Sequence, residues 1–288
     1  MPDWERRLER WVRQACIAEV TAVKPGNVSP EHAFADATVE DFCRSADAIA
    51  PVIAKAEQQG VGQTILTAVE ATRFAVGHNT NLGIILLLTP LACVPEQLSI
   101  DAGIEQVLSA LTVDDAELTY EAITRASPGG LGTAETEDVN QRPTMDLRAC
   151  MSLAADRDLV AAQYANGFRQ ILNVGLPLLT QTRHWQQHTE HRLAWVAVNL
   201  LAEFGDSLIR RKCGDALNQT VQNMARRVLE SGWPHHSGSD HCYEELDRFL
   251  RADGNRRNPG TTADMIAAIL FIDLRRTQGG DLTHERSP

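Results

Sequence analysis

The sequence has no apolar run that approaches the length of a bilayer-spanning helix; its longest, Ile84 to Ala92, falls far short. Basic charge is also scarce. Against 38 Asp and Glu there are only 27 Lys and Arg, a formal net charge of −11 over 288 residues, and that balance repels an extended phosphate backbone. Nucleic acid and membranes are therefore not expected partners. A small phosphorylated ligand remains compatible, because a few cations and helix N-termini can hold phosphate locally. No C-x-x-C pair occurs among Cys16, Cys43, Cys93, Cys150, Cys213 and Cys242, and a chain this large does not need disulfide staples. The cysteines read as reduced, mostly core residues. The first thirty residues are charged and amphipathic rather than the apolar core of a secretory signal, so a cytoplasmic protein is expected. Alternating runs rich in Val, Ile and Thr are missing, which excludes a sheet. G-x-S-x-G, Walker A and dinucleotide fingerprints are missing too, and with them the familiar hydrolase and NTPase mechanisms.

What the chain does contain is helix. Trp4, Leu8, Trp11, Val12, Ala15 and Ala18 recur at spacings of three and four, one buried helical face over residues 3 to 22. Thr38-Val39-Glu40-Asp41 and Thr112-Val113-Asp114-Asp115 are capping-box patterns that open two more helices, the first of them interrupted by Pro51. Further helices are predicted near 62–76, 80–93, 146–155, 158–180, 189–203, 214–231, 239–252 and 261–276. The expected fold is all-α, a single multi-helix domain over residues 1–277 with a loose tail at 278–288. The connection from Ser127 to Thr144 is too long for a helical hairpin, and such loops are often functional.

Five polar or glycine-rich clusters interrupt the helices. Val76 to Gly83 packs His78, Asn79, Thr80, Asn81 and two glycines ahead of an apolar helix, more polar groups than one cap requires. Lys24-Pro25-Gly26-Asn27 could simply end a helix, or could fix a turn that presents Lys24 and Glu19 to a ligand, Lys24 as a phosphate-binding charge. The others are Ser127 to Glu135, Gly205-Asp206-Ser207 with Arg210 and Arg211, and Asn258-Pro259-Gly260-Thr261-Thr262-Ala263-Asp264. Asp206 and Arg210, four apart, would share a helix face as a plain ion pair, and Thr261-x-x-Asp264 by itself reads as a structural cap. His184, His188 and His191 fall at i, i+4 and i+7 but lack a carboxylate or cysteine at a recognised zinc spacing, so an exposed helix face is expected there. Clusters at successive helix ends would converge on one pocket.

Taken together, these clusters resemble the triphosphoribosyl-dephospho-CoA synthase family. The elements that carry the resemblance run in order from Glu19 to Phe271: Glu19 with Lys24-Pro25-Gly26, Asn79-Thr80 with Gly83, the glycine-rich loop ending at Glu135, Asp206 with Arg210 and Gly214, and Pro259-Gly260 with Ala263-Asp264. The resemblance implies a magnesium-dependent pentosyltransferase that moves the triphosphoribosyl group of ATP to the 2′-hydroxyl of dephospho-CoA and releases adenine. Three positions depart from the family pattern. Asn81-Leu82-Gly83 stands for His-Lys-Gly, Thr133-Ala134 for Arg-Gly before Glu135, and Lys212-Cys213-Gly214 for Arg-Gly-Gly. These departures are similar to branches that build methanopterin-type carriers, which leaves the acceptor open. An oxocarbenium-like transition state calls for carboxylates, and magnesium for oxygen ligands. On this reading Asp206 and Asp36 are the leading magnesium ligands or bases, with Glu135 and Glu19 as further catalytic carboxylates. Lys24 and Arg210 contact phosphate. Asn79, Thr80 and Asn81 orient ribose or adenine, and Pro25, Gly26, Asn27, Gly83, Asn258 and Asp264 complete the ATP site. An N-glycosidic hydrolase of a nucleotide and a non-catalytic nucleotide binder are the alternatives; homo-oligomerisation is open.

Overall fold

A computed structural model describes residues 2–32, 37–128, 136–254 and 256–279. Among them there are fifteen α-helices and no strand, only an isolated bridge between Ser29 and His32. The N-terminal helices are α1 (Asp3–Thr21), α2 (Val39–Ile53), α3 (Ala56–Gln59), α4 (Val61–Val76), α5 (Leu82–Ala92), α6 (Ile100–Ser109) and α7 (Val113–Ala126). There follow α8 (Leu147–Ser152), α9 (Leu159–Asn166), α10 (Leu176–Gln181), α11 (Arg192–Phe204), α12 (Ser207–Cys213), α13 (Asp215–Glu230), α14 (Asp240–Arg251) and α15 (Gly260–Gln278). Both predicted capping boxes form: Thr38 and Asp41 at α2, Thr112 and Asp115 at α7. Each pairs two otherwise orphaned backbone donors with side-chain oxygens. The helix predicted over 158–180 is broken instead. Gly167 and Phe168 both adopt left-handed backbone, and a π-helical turn at Ile171–Gly175 precedes α10.

Two apolar clusters organise the chain. In the larger, α5 is buried from Ile84 to Ala92, packed by α1, α2, α4 and α15. A helix apolar on every side belongs in a core, and no helix among the described residues is long and apolar enough to cross a membrane. The far end of α5 is closed by a buried cation: Arg275 of α15 donates to the carbonyls of Leu91, Val94, Pro95 and Leu98 at 2.8–3.3 Å. Four charge-assisted bonds offset the desolvation of that guanidinium, whose pKa burial nevertheless lowers to about 10. The smaller cluster joins Val198, Leu201, Ile209, Val221, Val228, Trp233, Leu246 and Leu250 from α11 to α14. Helix α11 belongs to both, since Val196, Ala197 and Leu200 face the larger core. The polar helix ends left between the two cores surround the main cavity.

Candidate active site

A cavity of about 1390 Å³ is lined by Glu19 of α1, the 77–83 turn, Tyr120 of α7, Asp158 at the head of α9, residues 210–212 of α12 and the first turn of α15. It is large enough for a nucleotide and a second ligand of similar size. The entry to α5 explains the excess of polar residues there. Asn79 Oδ1 accepts the backbone N–H groups of Asn81 and Leu82 at 3.3 and 3.1 Å, so Asn79, two residues ahead of the N-cap position Asn81, satisfies the first donors of the helix. Thr80 is tied to Ser45 through a 2.6 Å hydroxyl pair, and Asn81 accepts from Thr72 at 3.0 Å. The side-chain amide nitrogen of Asn81 has no partner among the described residues, nor do the backbone N–H groups of Gly83 and Ile84. These are donors at the positive end of a helix dipole, beside the cavity.

Asp264 stands over that helix end. A Cβ built on Gly83 would come within 2.0 Å of Asp264 Oδ2, so only glycine leaves room for the carboxylate. Asp264 does not cap α15, which has no side-chain cap, and among the described residues it forms neither a hydrogen bond nor an ion pair. Its pKa is pushed well above the ordinary carboxylate range, first by burial, then by the like charges of Glu19, Asp206 and Asp158; Arg211 opposes them. A carboxylate with acidic neighbours and no partner among the described residues is the arrangement that favours a bound cation or a proton.

Glu19, 4% exposed, lines the same cavity and pairs with Lys24 Nζ at 3.1 Å. Lys24 is fully buried and also donates to the carbonyls of Glu19 and Ala22. All three ammonium hydrogens are thereby committed, and Lys24 does not line the cavity, so it supports Glu19 instead of meeting phosphate as the sequence suggested. The Pro25-Gly26 turn is clamped by α14. Gly26 N–H donates to Asp247 at 2.8 Å, and Arg251 reaches the carbonyls of Asn27 and Lys24 at 3.0 and 3.4 Å. Gly26 has φ +71, and a Cβ there would strike Leu250 at 2.4 Å. Of this turn, Asn27 reaches the cavity.

Asp206 corrects a second expectation. One carboxylate oxygen accepts the N–H groups of Leu208 and Ile209 at 2.9 and 3.1 Å; the other accepts both N–H and Oγ1 of Thr262 at 2.8 and 2.9 Å. It is fully buried, does not line the cavity, and joins the starts of α12 and α15. With four bonds its lone pairs are filled, leaving none for magnesium or for a substrate proton. Nor do Asp206 and Arg210 pair: Arg210 contacts Asp215 and the carbonyl of Asp156. Asp36 and Glu135 lie outside the described residues, as do Thr133 and Ala134.

Cations line the cavity in two groups. Arg157, Arg210, Arg211, Lys212 and Arg256 form one, linked by Arg256 donating to the Lys212 carbonyl at 3.3 Å and by Lys212 reaching Asn258 at 3.2 Å. Arg73 and Arg125 form the other, with Arg73 donating to the Arg125 carbonyl at 2.8 Å. Sequence reasoning missed Arg73, Arg125, Arg157, Asp158 and Arg256, which sit in ordinary helices and turns. For Asp158 one signal existed, its place just ahead of Leu159-Val160: Oδ1 caps α9 at 2.8 and 3.1 Å while Oδ2 meets Arg211 at 3.3 Å.

Fold and cavity together define an all-helical protein with one large cavity lined by both cations and carboxylates, the class of site that suits a phosphorylated small molecule. The chain belongs to the CitG family, ATP:dephospho-CoA triphosphoribosyl transferase, whose model matches residues 5–282. It is 27% identical over 233 residues to a Pseudomonas syringae pv. tomato protein designated probable 2-(5''-triphosphoribosyl)-3'-dephosphocoenzyme-A synthase, covering 76% of this chain and 72% of that one. A Pseudomonas fluorescens protein of the same designation is 30% identical over 120 residues, 41% of this chain and 40% of its own. In fold the chain is similar to an Archaeoglobus fulgidus crystal structure provisionally designated triphosphoribosyl-dephospho-CoA synthase. That likeness has a TM-score of 0.63 at 23% identity and covers 80% of this chain and 96% of the other. Membership makes the chain a transferase and disfavours the hydrolase and the non-catalytic binder.

Proposed function

We propose that this cavity transfers the triphosphoribosyl group of ATP to the 2′-hydroxyl of dephospho-CoA. The C1′–N9 bond of ATP breaks, a bond from C1′ to the acceptor oxygen forms, and the hydroxyl proton passes overall to the departing adenine. The observation that carries this reading is the carboxylate of Asp264, without a partner among the described residues, beside Glu19 and over Gly83, in one cavity with the five-cation group. Positive charge that develops at C1′ is stabilised by two fixed carboxylates in a site of low dielectric. Arg210, Arg211, Lys212 and Arg256 hold the triphosphate, and Arg73 with Arg125 receives the pyrophosphate of the acceptor. Asn27, Asn81 and the free N–H groups of Gly83 and Ile84 orient the sugar and its phosphates. Leu82, where the resembling pattern has lysine, is 8% exposed; the cations of α12 supply the charge that this position does not.

Magnesium fits the donor set. Glu19 and Asp264 are oxygen ligands with no hydrogen bond between them and with mutually unfavourable charge, the condition a hard dication relieves. When bound, it supplies neutralisation of the triphosphate charge. The six cysteines are all unpaired, which supports a reducing, cytoplasmic setting.

The test is incubation with ATP, magnesium and dephospho-CoA, followed by mass analysis. An adenine product together with an acceptor that has gained the triphosphoribosyl mass is expected. Adenine without a conjugate, or intact ATP with this acceptor and turnover with a pterin precursor, would overturn the assignment of dephospho-CoA.

A further inference from the structure

Away from the cavity, the segment between α10 and α11 does not form the exposed helix face its histidine spacing predicts. A 3₁₀ turn at Thr182–His184 ends at Trp185, and a second at Thr189–His191 begins from His188, whose backbone is left-handed at φ 58. That single residue reverses the chain and stacks the His188 ring on His191, with centroids 6.0 Å apart. Ligand atoms of His188, Glu190 and His191 then all lie within 4.8 Å of one another. From the loop after α13, His235 brings its ring within 5.8 Å of His188. The ring nitrogens of His188 and His235 make no hydrogen bond among the described residues, and His191 Nε2 lies 3.6 Å from a Glu190 carboxylate oxygen.

We propose that His188, Glu190 and His191 form a transition-metal site of the zinc class, with the His235 ring beside it. Two imidazoles with one carboxylate suit Zn²⁺, Ni²⁺ or Cu²⁺ and not Mg²⁺ or Ca²⁺. The three ligands all come from the 188–191 segment, so bound metal fixes the turn that leads into α11. The His191 ring also rests against Trp233 of the smaller core, so the site sits at the edge of the α11–α14 bundle. The neighbourhood also supplies a reporter. Trp185 is 4.5 Å from His235 and Trp233 is 5.2 Å from His191, ring to ring, within quenching range of a bound Cu²⁺.

The experiment uses the full chain, stripped with a chelator, with Zn²⁺ followed by calorimetry and Cu²⁺ by tryptophan fluorescence. One equivalent of Zn²⁺ binds saturably, and Cu²⁺ quenches with the same stoichiometry. His188→Asn, which tolerates left-handed backbone, and His191→Gln each abolish both signals. His235→Ala, beside the site and outside the ligand set, changes Zn²⁺ affinity by less than about tenfold, under roughly 1.4 kcal/mol. Asp264→Asn, at the other site, leaves Zn²⁺ binding intact. The proposal is overturned if binding is absent or non-saturable, if it survives His188→Asn in protein of unchanged circular dichroism, or if Asp264→Asn removes it.

Discussion

Replacing Asp264 by asparagine separates stability from activity. The amide keeps the shape and removes a charge that burial and the neighbouring Glu19, Asp206 and Asp158 disfavour in the fold. In metal-free, nucleotide-free protein the variant is expected to be more stable at neutral pH by about 1–2 kcal/mol, the usual return from relieving a strained functional site. For a chain of this size that corresponds to a melting temperature higher by about 2–6 °C. The pH dependence fixes the cause. Since folding raises the pKa of Asp264, the folded state binds the proton more tightly. Its penalty is absent below the unfolded carboxyl value, grows as pH rises toward the folded value, and is constant above that. The advantage of the Asp264→Asn variant over the parent should therefore vanish in acid and be complete above the raised pKa. Magnesium should stabilise the parent and not the variant, and adenine release should fall by about 10²-fold or more. Thermal melts across pH, with and without magnesium, and chromatography of adenine would decide it. A variant less stable at every pH, or one that still turns over, would refute the view of Asp264 as an unpaired functional acid.

Gly83→Ala improves helix propensity by up to about 1 kcal/mol yet forces Asp264 to move, since a Cβ lies 2.0 Å from its Oδ2; near-parent melting with lost turnover is expected, and retained turnover would contradict the placement. Asp206→Ala leaves three buried backbone donors and a hydroxyl unpaired, a loss of about 3–5 kcal/mol in urea unfolding; a purely catalytic defect at full stability would restore Asp206 as a ligand or base. Lys24→Ala strands Glu19 in the interior and should cost about 3–5 kcal/mol of stability, so an unaltered denaturation midpoint with weakened ATP affinity would return Lys24 to the phosphate site. Arg256→Ala removes one cavity cation and should raise the apparent KM for ATP by about tenfold with stability within roughly 0.5 kcal/mol; an unchanged KM would move the triphosphate elsewhere.

Local chemistry was legible in the chain. Thr38 and Thr112 announce helix starts because a hydroxyl and a carboxylate three residues apart satisfy each other's backbone donors wherever they occur, and α2 and α7 begin there. The break at Gly167 and the helix over Ile100–Ser109 were not read. Asn166-Gly167 is a C-cap signal inside an otherwise helical run, and Ser99 caps α6 through Ala102 N–H at 3.3 Å without the acidic partner that completes a box.

Asp206 and Asp264 differ in their surroundings for a reason that no spacing contains. Thr261-x-x-Asp264 has the form of a cap, but Asp206, 56 residues earlier than Thr262, fills that post and leaves Asp264 beside Gly83 without a partner among the described residues. The sequence by itself determined the all-helical fold, the helix-end clusters and the family, because periodicity, caps and glycine-rich turns are properties of neighbouring residues. Only tertiary structure decided which carboxylate is buried as a fastener and which is left open, and which arginines share its cavity. Those outcomes depend on where the partners of each charge lie in space, and residues that compete for one donor or one cation are far apart along the chain.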